Sequence, residues 1–220
     1  TVMLVNIIEQ VINGLRTGSV YALIALGYTM VYGIAKMINF AHGDVIMVGA
    51  YALYAFIALC SLPIPLAILL TIILCAILGI SIEKLAYKPL RKAPPLAVLI
   101  TAIGMSYFLQ SIALLIFKAN PIPFASVIPK STVLILGIHI SSISIVTFIV
   151  TAISMIALSL FINKTKTGSA MRAVAEDKGA AELMGIDVNK TISLTFAIGS
   201  ILAAIAGILY IAQYESLKPT

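Results

Sequence analysis

Five long stretches of this chain contain no charged residue. They are 19 to 38 residues long and comprise residues 17–35, 45–82, 93–117, 131–163 and 191–214. A helix of about 20 apolar residues crosses the ~30 Å hydrocarbon core of a bilayer. Charged residues make up only 10% of the 220 residues, whereas a soluble domain carries about a quarter. The sequence therefore predicts an all-α, polytopic membrane bundle and excludes the disordered, collagenous, nucleic-acid-binding and disulfide-scaffold classes.

Prolines divide the longest of these stretches, so that about six membrane spans are predicted. Residues 45–82 are too numerous for one crossing, and Pro63 and Pro65 separate them because proline lacks a helix N–H donor. The predicted spans are residues 15–34, 44–60, 65–83, 96–117, 142–163 and 191–213. Residues 118–141 are predicted to form a loop that contains a small hairpin. We treat residues 1–220 as one transmembrane domain.

The distribution of Lys and Arg predicts the orientation of the bundle. Nine of these residues lie in the loops at 84–92 and 164–190, whereas the opposite loops contain only Lys118 and Lys130. Lys and Arg accumulate in cytoplasmic loops, so both basic loops are predicted to be cytoplasmic and residues 118–141 external. Alternation then places both termini outside. The same rule accounts for the net charge of +6 without a nucleic-acid partner, with the lipid bilayer as the surroundings.

Two ladders of small residues predict faces where helices pack closely. Small side chains allow close approach of helix backbones, which is a main source of packing energy in lipid. The alternative is that Gly and Ala are simply common in membrane helices. The ladders, each with a spacing of four, are Gly14, Gly18 and Ala22 in the first span and Gly199, Ala203 and Gly207 in the sixth.

The segment between the first two spans concentrates polar groups in an unusual way. Asn39, His42, Gly43 and Asp44 place an amide, an imidazole and a carboxylate close together. The apolar run that follows is short for a full crossing, so part of the segment is expected within the membrane. Irregular backbone persists there only when it is buried in protein or lines a cavity. These four residues are candidates for a translocation pathway, and the alternative is a polar cytoplasmic turn.

Residues 164–190 form the most polar region of the chain. The pattern predicts a helix, a break at Gly185 and a further helix that Asp187 or Asn189 caps. Four acidic and five basic residues balance one another there, so a simple lipid-binding basic patch is not indicated. The region is predicted to be a docking surface for a cytosolic protein, and the alternative is an amphipathic helix on the membrane surface.

Motifs for enzymatic chemistry are absent from the sequence. It contains no Gly-x-Ser-x-Gly, no His-Glu-x-x-His, no Walker loop and no metal-binding spacing of Cys and His. No catalytic residue, metal site or cofactor is therefore predicted on this chain. Cys60 and Cys75 lie in apolar runs and are interpreted as small hydrophobic residues. His42 and Asp44 leave open a secondary transporter or channel that couples transport to protons or ions.

A series of motifs runs in order from about residue 10 to residue 215. They are GSVYALIALGYTMVYGI at 18–34, MINFAHGD at 37–44, Glu83 with YKPLR at 87–91, TAIGMS at 101–106, and RAVAED and LMGI at 172–177 and 183–186. Together they resemble the Liv-type, LivH-like branched-chain amino-acid permeases of ABC transporters. Asp44 stands where that family frequently has Glu, a departure that keeps the charge. The final third of the family pattern is missing, so we expect a fragment of a longer permease.

The resemblance implies a permease subunit of an ATP-driven importer for Leu, Ile and Val in the prokaryotic inner membrane. Its implied partners are a second permease subunit in a hetero- or homodimer, two cytosolic ATP-binding subunits that hold ATP and Mg²⁺, and an extracytoplasmic substrate-binding protein. A related permease for urea or short amides shares these motifs and remains an alternative. The resemblance assigns coupling to the ATPase to Arg172, Ala175, Glu176, Asp177, Leu183, Met184, Gly185 and Ile186.

Overall fold

A computed structural model describes residues 2–91, 93–124, 131–135, 138–214 and 216–217. Lys92, Lys130 and the turn of the predicted hairpin at 136–137 lie outside the described residues.

Helices dominate the part of the chain that the structure describes. They are α1 (Val2–Ala35), α2 (His42–Tyr54), α3 (Ile64–Ile82), α4 (Pro95–Phe117), α5 (Ser142–Lys164), α6 (Lys166–Glu176), α7 (Lys178–Leu183) and α8 (Val188–Tyr214). A π-helical turn, Ala55–Leu59, extends α2, and a second one, Glu83–Tyr87, extends α3 into the 3₁₀ turn Lys88–Leu90.

Six of the described helices are long and apolar enough to cross a membrane. The prediction of an all-α, polytopic bundle with about six membrane helices is therefore confirmed. Prolines determine where two of these helices begin: α3 follows Pro63, whose backbone is extended, and α4 begins at Pro95. Proline suits the first turn of a helix because the N–H group that it lacks would have no partner there.

Short antiparallel strands lie at the end of the bundle where α1 begins. Strands β2 (Thr132–Ile135) and β3 (Ile138–Ser141) pair with each other, which confirms the predicted hairpin. The backbone N–H of His139 donates to Glu9 Oε1 of α1 at 3.1 Å and ties the hairpin to that helix. Strand β1 (Ile122–Pro123) pairs with β4 (Ser216–Leu217), so the loop after α4 and the residues after α8 share this end.

The opposite end of the bundle collects the two loops that the sequence predicts to be cytoplasmic. Lys178 Nζ donates to the carbonyl oxygen of Ala35 at 2.7 Å, and Arg91 donates to the side chain of Asn189. These contacts bring together the end of α1, the 88–91 turn, α7 and the start of α8. We call this the basic end. Its basic residues are those that the orientation argument places on the cytoplasmic side.

Helix α8 is the centre of the bundle. Of the apolar 18-residue stretch of α8, 67% is buried inside the bundle, compared with 17% of the corresponding stretches of α4 and α5. Its predicted ladder lies at helix contacts. A β-carbon on Gly199 would lie 2.7 Å from Val31 Cγ2 of α1, one on Gly207 would lie 2.6 Å from the carbonyl oxygen of Ile46 on α2, and Ala203 is fully buried.

Glycines on three neighbouring helices complete these contacts from the other side. A β-carbon on Gly27 of α1 would lie 3.1 Å from the carbonyl oxygen of Gly199, and one on Gly49 of α2 would lie 3.3 Å from Ala204 Cα. A β-carbon on Gly79 of α3 would lie 2.9 Å from the carbonyl oxygen of Phe196. The backbones of α1, α2 and α3 therefore approach the backbone of α8 closely. The spacing-of-four pattern identified the small residues of α8 at these contacts but not the glycines on the neighbouring helices.

The ladder of the first span does not pack within the described chain. A β-carbon on Gly14 or Gly18 would have no neighbour within 4 Å, and Ala22 is only half-buried. Successive residues turn by about 100° along a helix, so Gly18 lies about 200° from Val20, which is buried. The face that α1 turns toward α8 therefore begins with Thr17, whose hydroxyl accepts a hydrogen bond from Gln213 of α8, and continues through Val20 and Leu23, not through the predicted ladder.

We expect Gly207→Val to destabilise the bundle, because its β-carbon would collide with a backbone oxygen that cannot move aside. Overpacking of this kind costs about 1–3 kcal/mol. The matched control is Gly104→Val, which also places valine inside a membrane helix but has open space around its β-carbon. Thermal unfolding of the detergent-purified variants measures the difference, and equal melting temperatures would contradict the packing of α8 described above.

Candidate functional site

The chain leaves helical geometry between α1 and α2, over residues 36–41. Lys36 has a φ of +58°, a backbone conformation that is uncommon for residues other than glycine. Asn39 is buried, and its Oδ1 accepts a hydrogen bond from the Tyr87 hydroxyl at 3.0 Å, with the Ile38 carbonyl oxygen 3.4 Å from the same hydroxyl. We call residues 36–41 the break. Contacts with protein hold the buried part of its irregular backbone, as the membrane interior requires.

Helix α2 begins well inside the bundle and not at its basic end. His42 packs against Gly27, and about 12 Å of helix separates Gly27 from the end of α1 at Ala35. Asp44 contacts Gln110, which lies about 22 Å along α4 from Pro95. Because Pro95 shares a cavity with residues of the basic end, the break runs from that end into the interior of the bundle.

Asp44 is a buried carboxylate with an incomplete set of partners. It is 6% exposed, and its Oδ1 accepts a hydrogen bond from Gln110 Nε2 at 2.9 Å. Its Oδ2 is buried without a partner among the described residues. The positive end of the α2 dipole stabilises negative charge at this position in the first turn. A buried charge with a free oxygen is costly unless a further polar group binds it, so Asp44 is suited to contact a polar solute.

A groove of about 270 Å³ lies next to this carboxylate. Ser106 and Gln110 line it together with Phe40 of the break. Gln110 Nε2 lies 3.2 Å from Ser106 Oγ, so one amide group links the groove to Asp44. The sequence predicted Asp44 as a pathway residue but not these two partners. The signal that was available is that both are among the few polar residues of a largely apolar span.

His42 and Asp44 do not form a pair in this structure. The His42 ring contacts Gly27 and the edge of Tyr28, whose ring centroid is 6.1 Å away, whereas Asp44 faces Gln110 on α4. Two residues apart on a helix, the side chains point about 200° from each other. Of the four predicted pathway residues, Asn39, His42 and Asp44 are buried, while Gly43 is exposed with open space around it.

The second candidate site, residues 165–186, is a rigid unit at the basic end. Thr165 Oγ1 caps α6 by accepting from the N–H of Gly168 at 3.0 Å. A side chain at Gly168 would collide with the carbonyl oxygen of Ile162, so only glycine lets α6 fold back against α5. Met171 and Val174 are fully buried in the core. Helix α6 is therefore fixed to the bundle and does not lie as a separate amphipathic helix on a membrane surface.

Helix α7 ends in an exposed apolar tip. Asp177 caps its start by accepting from the N–H groups of Gly179 and Ala180. Gly185 has a φ of +79° and follows the last turn, as the sequence predicted, and the N–H of Ile186 bonds back to the carbonyl of Ala181. The two residues at the tip, Leu183 and Met184, are 91% and 82% exposed.

The remaining predicted coupling residues lie on α6, at the start of α7 and in the turn after it. Arg172, Glu176, Asp177 and Gly185 are exposed, while Ala175 and Ile186 are half-buried. The eight predicted residues therefore include six that present side chains or backbone to the surroundings on one rigid unit. Such a surface is available for contact with another protein.

A buried ion pair joins the basic end together, and the sequence did not predict it. Glu83 is fully buried and forms a salt bridge with Arg91, and Ser193 of α8 donates to its other carboxylate oxygen. Arg91 also donates to Asn189. Burial and the nearby charges of Arg91 and Lys36 lower the pKa of Lys178. The turn after α3 is thus attached to the start of α8 at the same end of the bundle as the predicted coupling residues.

Comparisons with known proteins point to one family. Residues 10–220 match the protein family described as "Branched-chain amino acid transport system / permease component". The chain is 44% identical to the high-affinity branched-chain amino acid transport system permease protein BraD of Pseudomonas aeruginosa and 41% identical to LivH of Escherichia coli strain K12. Each alignment covers 96% of this chain and 73% of the relative.

A more distant similarity extends to another kind of importer. The ribose import permease protein RbsC of Haemophilus influenzae is 28% identical, over 97% of this chain and 64% of its own length. No solved structure matches the chain.

We expect Tyr87→Phe to weaken the attachment of the break, because the buried Asn39 Oδ1 loses its donor. An unsatisfied buried polar group costs about 1–3 kcal/mol. The control is Tyr107→Phe, since Tyr107 is largely exposed. Thermal unfolding in detergent should show a lower melting temperature only for the Tyr87 variant. A neutral effect at both positions would show that the bond to Asn39 does not hold the break.

Proposed function

Because this chain belongs to the family of permease components of branched-chain amino acid transport systems, we propose that it forms the membrane pathway of an ATP-driven importer for Leu, Ile and Val. Family membership makes the chain a transport subunit and not an enzyme. In this proposal, ATP and Mg²⁺ are bound by two cytosolic ATP-binding subunits, and the chain resides in the prokaryotic inner membrane.

The exposed tip of α7 is the observation that carries this proposal. Leu183 and Met184 present two large apolar side chains to the surroundings at the end where cytosolic subunits would bind. Two adjacent, almost fully exposed apolar side chains at the end of a capped helix are suited to a contact with another protein. A transporter that works without an ATPase needs no such docking surface.

The proposed mechanism is alternating access, with α6 and α7 acting as a lever. Helix α6 packs on α1, α5 and α8, so a displacement of α7 reaches three membrane helices. Lys178 Nζ bonds to the carbonyl of Ala35, the last residue before the break. Closure of the ATP-binding subunits would therefore act first where the chain leaves helical geometry. Movement of packed elements around a fixed site is a common form of such a transition.

The free oxygen of Asp44 supports an amino acid as the transported solute. An amino acid carries an ammonium group, which is the natural partner of a buried carboxylate. Urea and short amides are neutral, so they do not compensate the charge of Asp44. The relatives BraD and LivH are named for branched-chain amino acid transport, and this agrees with the proposed substrates.

The contacts of His42 argue against the second candidate, a secondary transporter that uses His42 and Asp44 for proton coupling. A proton relay needs the two groups within hydrogen-bond reach of each other or of a shared water. In this structure, the two side chains face different helices, α1 and α4. The ATP-driven importer therefore fits the geometry better.

The surfaces left open by this chain suit the other proposed partners. Only 17% of the apolar 18-residue stretch of α4, and of that of α5, is buried inside the bundle. The outer faces of these helices are therefore available for lipid and a second permease subunit. The hairpin and the start of α1 lie at the opposite end from α7, where an extracytoplasmic substrate-binding protein would deliver its ligand. Whether the second permease subunit is identical to this chain is decided by co-purification with differently tagged copies.

We expect Leu183→Asp to uncouple transport without unfolding the protein, because Leu183 makes almost no contact within the chain. In proteoliposomes with all partner subunits, ATP-driven uptake of leucine should fall at least tenfold while membrane abundance is unchanged. The control is Lys190→Asp, which introduces the same carboxylate at an exposed position of the basic end outside the tip. Wild-type uptake in the Leu183 variant would remove α7 from the coupling surface.

We expect Asp44→Asn to lower leucine uptake at least tenfold, because the substituted amide keeps the shape of the side chain but not the charge. Asp187→Asn is the matched control, since Asp187 caps α8 through a hydrogen bond that asparagine also makes. Uptake is compared with the amount of protein in the membrane. If Asp44→Asn reduces both in proportion, the role of Asp44 is structural and not in the pathway.

A further inference from the structure

A cavity at the basic end carries positive charge that the described carboxylates leave uncompensated. It has a volume of about 320 Å³ and lies between the end of α1, the start of α4 and α7, with Lys36, Arg91 and Lys178 in its lining. Arg91 is paired with Glu83, in the ion pair found among the residues that the structure describes. Lys36 and Lys178 have no carboxylate partner within that described part of the chain.

The position of Lys178 keeps its charge close to the other two cations. Its Nζ bonds to the carbonyl oxygen of Ala35, which fixes the ammonium group beside the end of α1. Burial together with the charges of Arg91 and Lys36 lowers the pKa of Lys178, which means that its charged form is disfavoured there. A negative group in the cavity would attract all three cations and so offset the repulsion between them. The cavity is therefore complementary to an anion.

The rest of the lining is apolar, which distinguishes this cavity from a site for a small soluble anion. Tyr32, Val98 and Leu99 form part of its wall. On the same helix as Leu99, the neighbouring Leu96 and Ile100 are 65% and 61% exposed. Apolar side chains beside a cluster of cations match a molecule with a negative head and a hydrocarbon tail. Tyrosine is also enriched at the level of the lipid headgroups.

We propose that this cavity binds the headgroup of an anionic phospholipid of the cytoplasmic leaflet. Lys36 and Lys178 contact the phosphate, and the acyl chains lie along the exposed side of α4. Basic cavities between membrane helices on the cytoplasmic side are suited to such headgroups. Because Lys36 begins the break and Lys178 belongs to α7, the lipid bridges the pathway segment and the coupling segment. The cavity does not include Asp44 or the groove beside it, and its occupancy does not depend on which solute is carried.

Native mass spectrometry of the purified full chain tests the proposal with short-chain phosphatidylglycerol, phosphatidylcholine and inorganic phosphate. The wild type should bind phosphatidylglycerol at least tenfold more tightly than phosphatidylcholine. The double variant Lys36→Gln, Lys178→Gln should lose on the order of 20-fold in affinity for phosphatidylglycerol, since each cation at a membrane surface contributes about fivefold. The control is Lys164→Gln, Lys166→Gln, which removes two exposed charges from the same end outside the cavity.

Three results would overturn the proposal. The first is equal binding of the two lipids, and the second is an equal loss of affinity in the double variant and in the control. The third is displacement of phosphatidylglycerol by millimolar inorganic phosphate, which would identify a site for a free anion. If the double variant fails to fold because the bond to Ala35 is lost, Lys36→Gln alone decides. Its exposed side chain has no structural bond among the described residues, and about a fivefold loss is expected.

Discussion

The backbone of α8 lies in contact with the backbones of three neighbouring helices, and the arrangement of the other elements depends on this contact. In lipid there is no hydrophobic force between helices, so close packing and interhelical hydrogen bonds must hold them. Gly27, Gly49 and Gly79 provide the necessary space on α1, α2 and α3, and Gly199 and Gly207 provide it on α8. A larger side chain at Gly79 or Gly207 would push a whole helix outward, because the atom it meets is a backbone oxygen that cannot turn aside as a flexible side chain does.

The same packing explains how a non-helical segment persists inside the bundle. His42 occupies the space beside Gly27, which brings the first turn of α2 close to α8 and far from the basic end. The preceding residues must then cross this distance in an irregular conformation, and Asn39 finds its partner in Tyr87 at the end of α3. Asp44 enters the interior with one carboxylate oxygen bonded and one free. A carboxylate in that state is a stable feature only if a polar group from outside the chain completes its contacts.

The sequence predicted features that depend on local chemistry and missed those that depend on distant pairs. Uncharged stretches and prolines indicated the membrane helices, because a membrane helix needs apolar side chains toward lipid and must form its backbone hydrogen bonds within itself. The break at Gly185 and a cap at Asp187 or Asn189 were predicted for the same local reason, and Asp187 is the residue that caps α8. The ladder that begins at Gly14 does not lie at a helix contact within the described chain. Spacing shows that a helix face has small side chains, but it does not show which helix lies opposite that face. The pairs Asp44–Gln110 and Glu83–Ser193 join residues that are far apart in the chain and whose proximity one sequence does not reveal.

If α7 is the coupling element that we propose, the bonds within residues 165–186 and within the break indicate where a movement of α7 would have its effect. Caps at Thr165 and Asp177 and the buried side chain of Met171 fix residues 165–186 as one body. The break has fewer restraints, since its irregular backbone lacks the repeated hydrogen bonds of a helix. In the proposed mechanism, a displacement of α7 would reach the end of α1 through the bond from Lys178 Nζ to the carbonyl oxygen of Ala35. The displacement is therefore expected in the break, beside Asp44, where a change in backbone geometry would open or close access to the carboxylate.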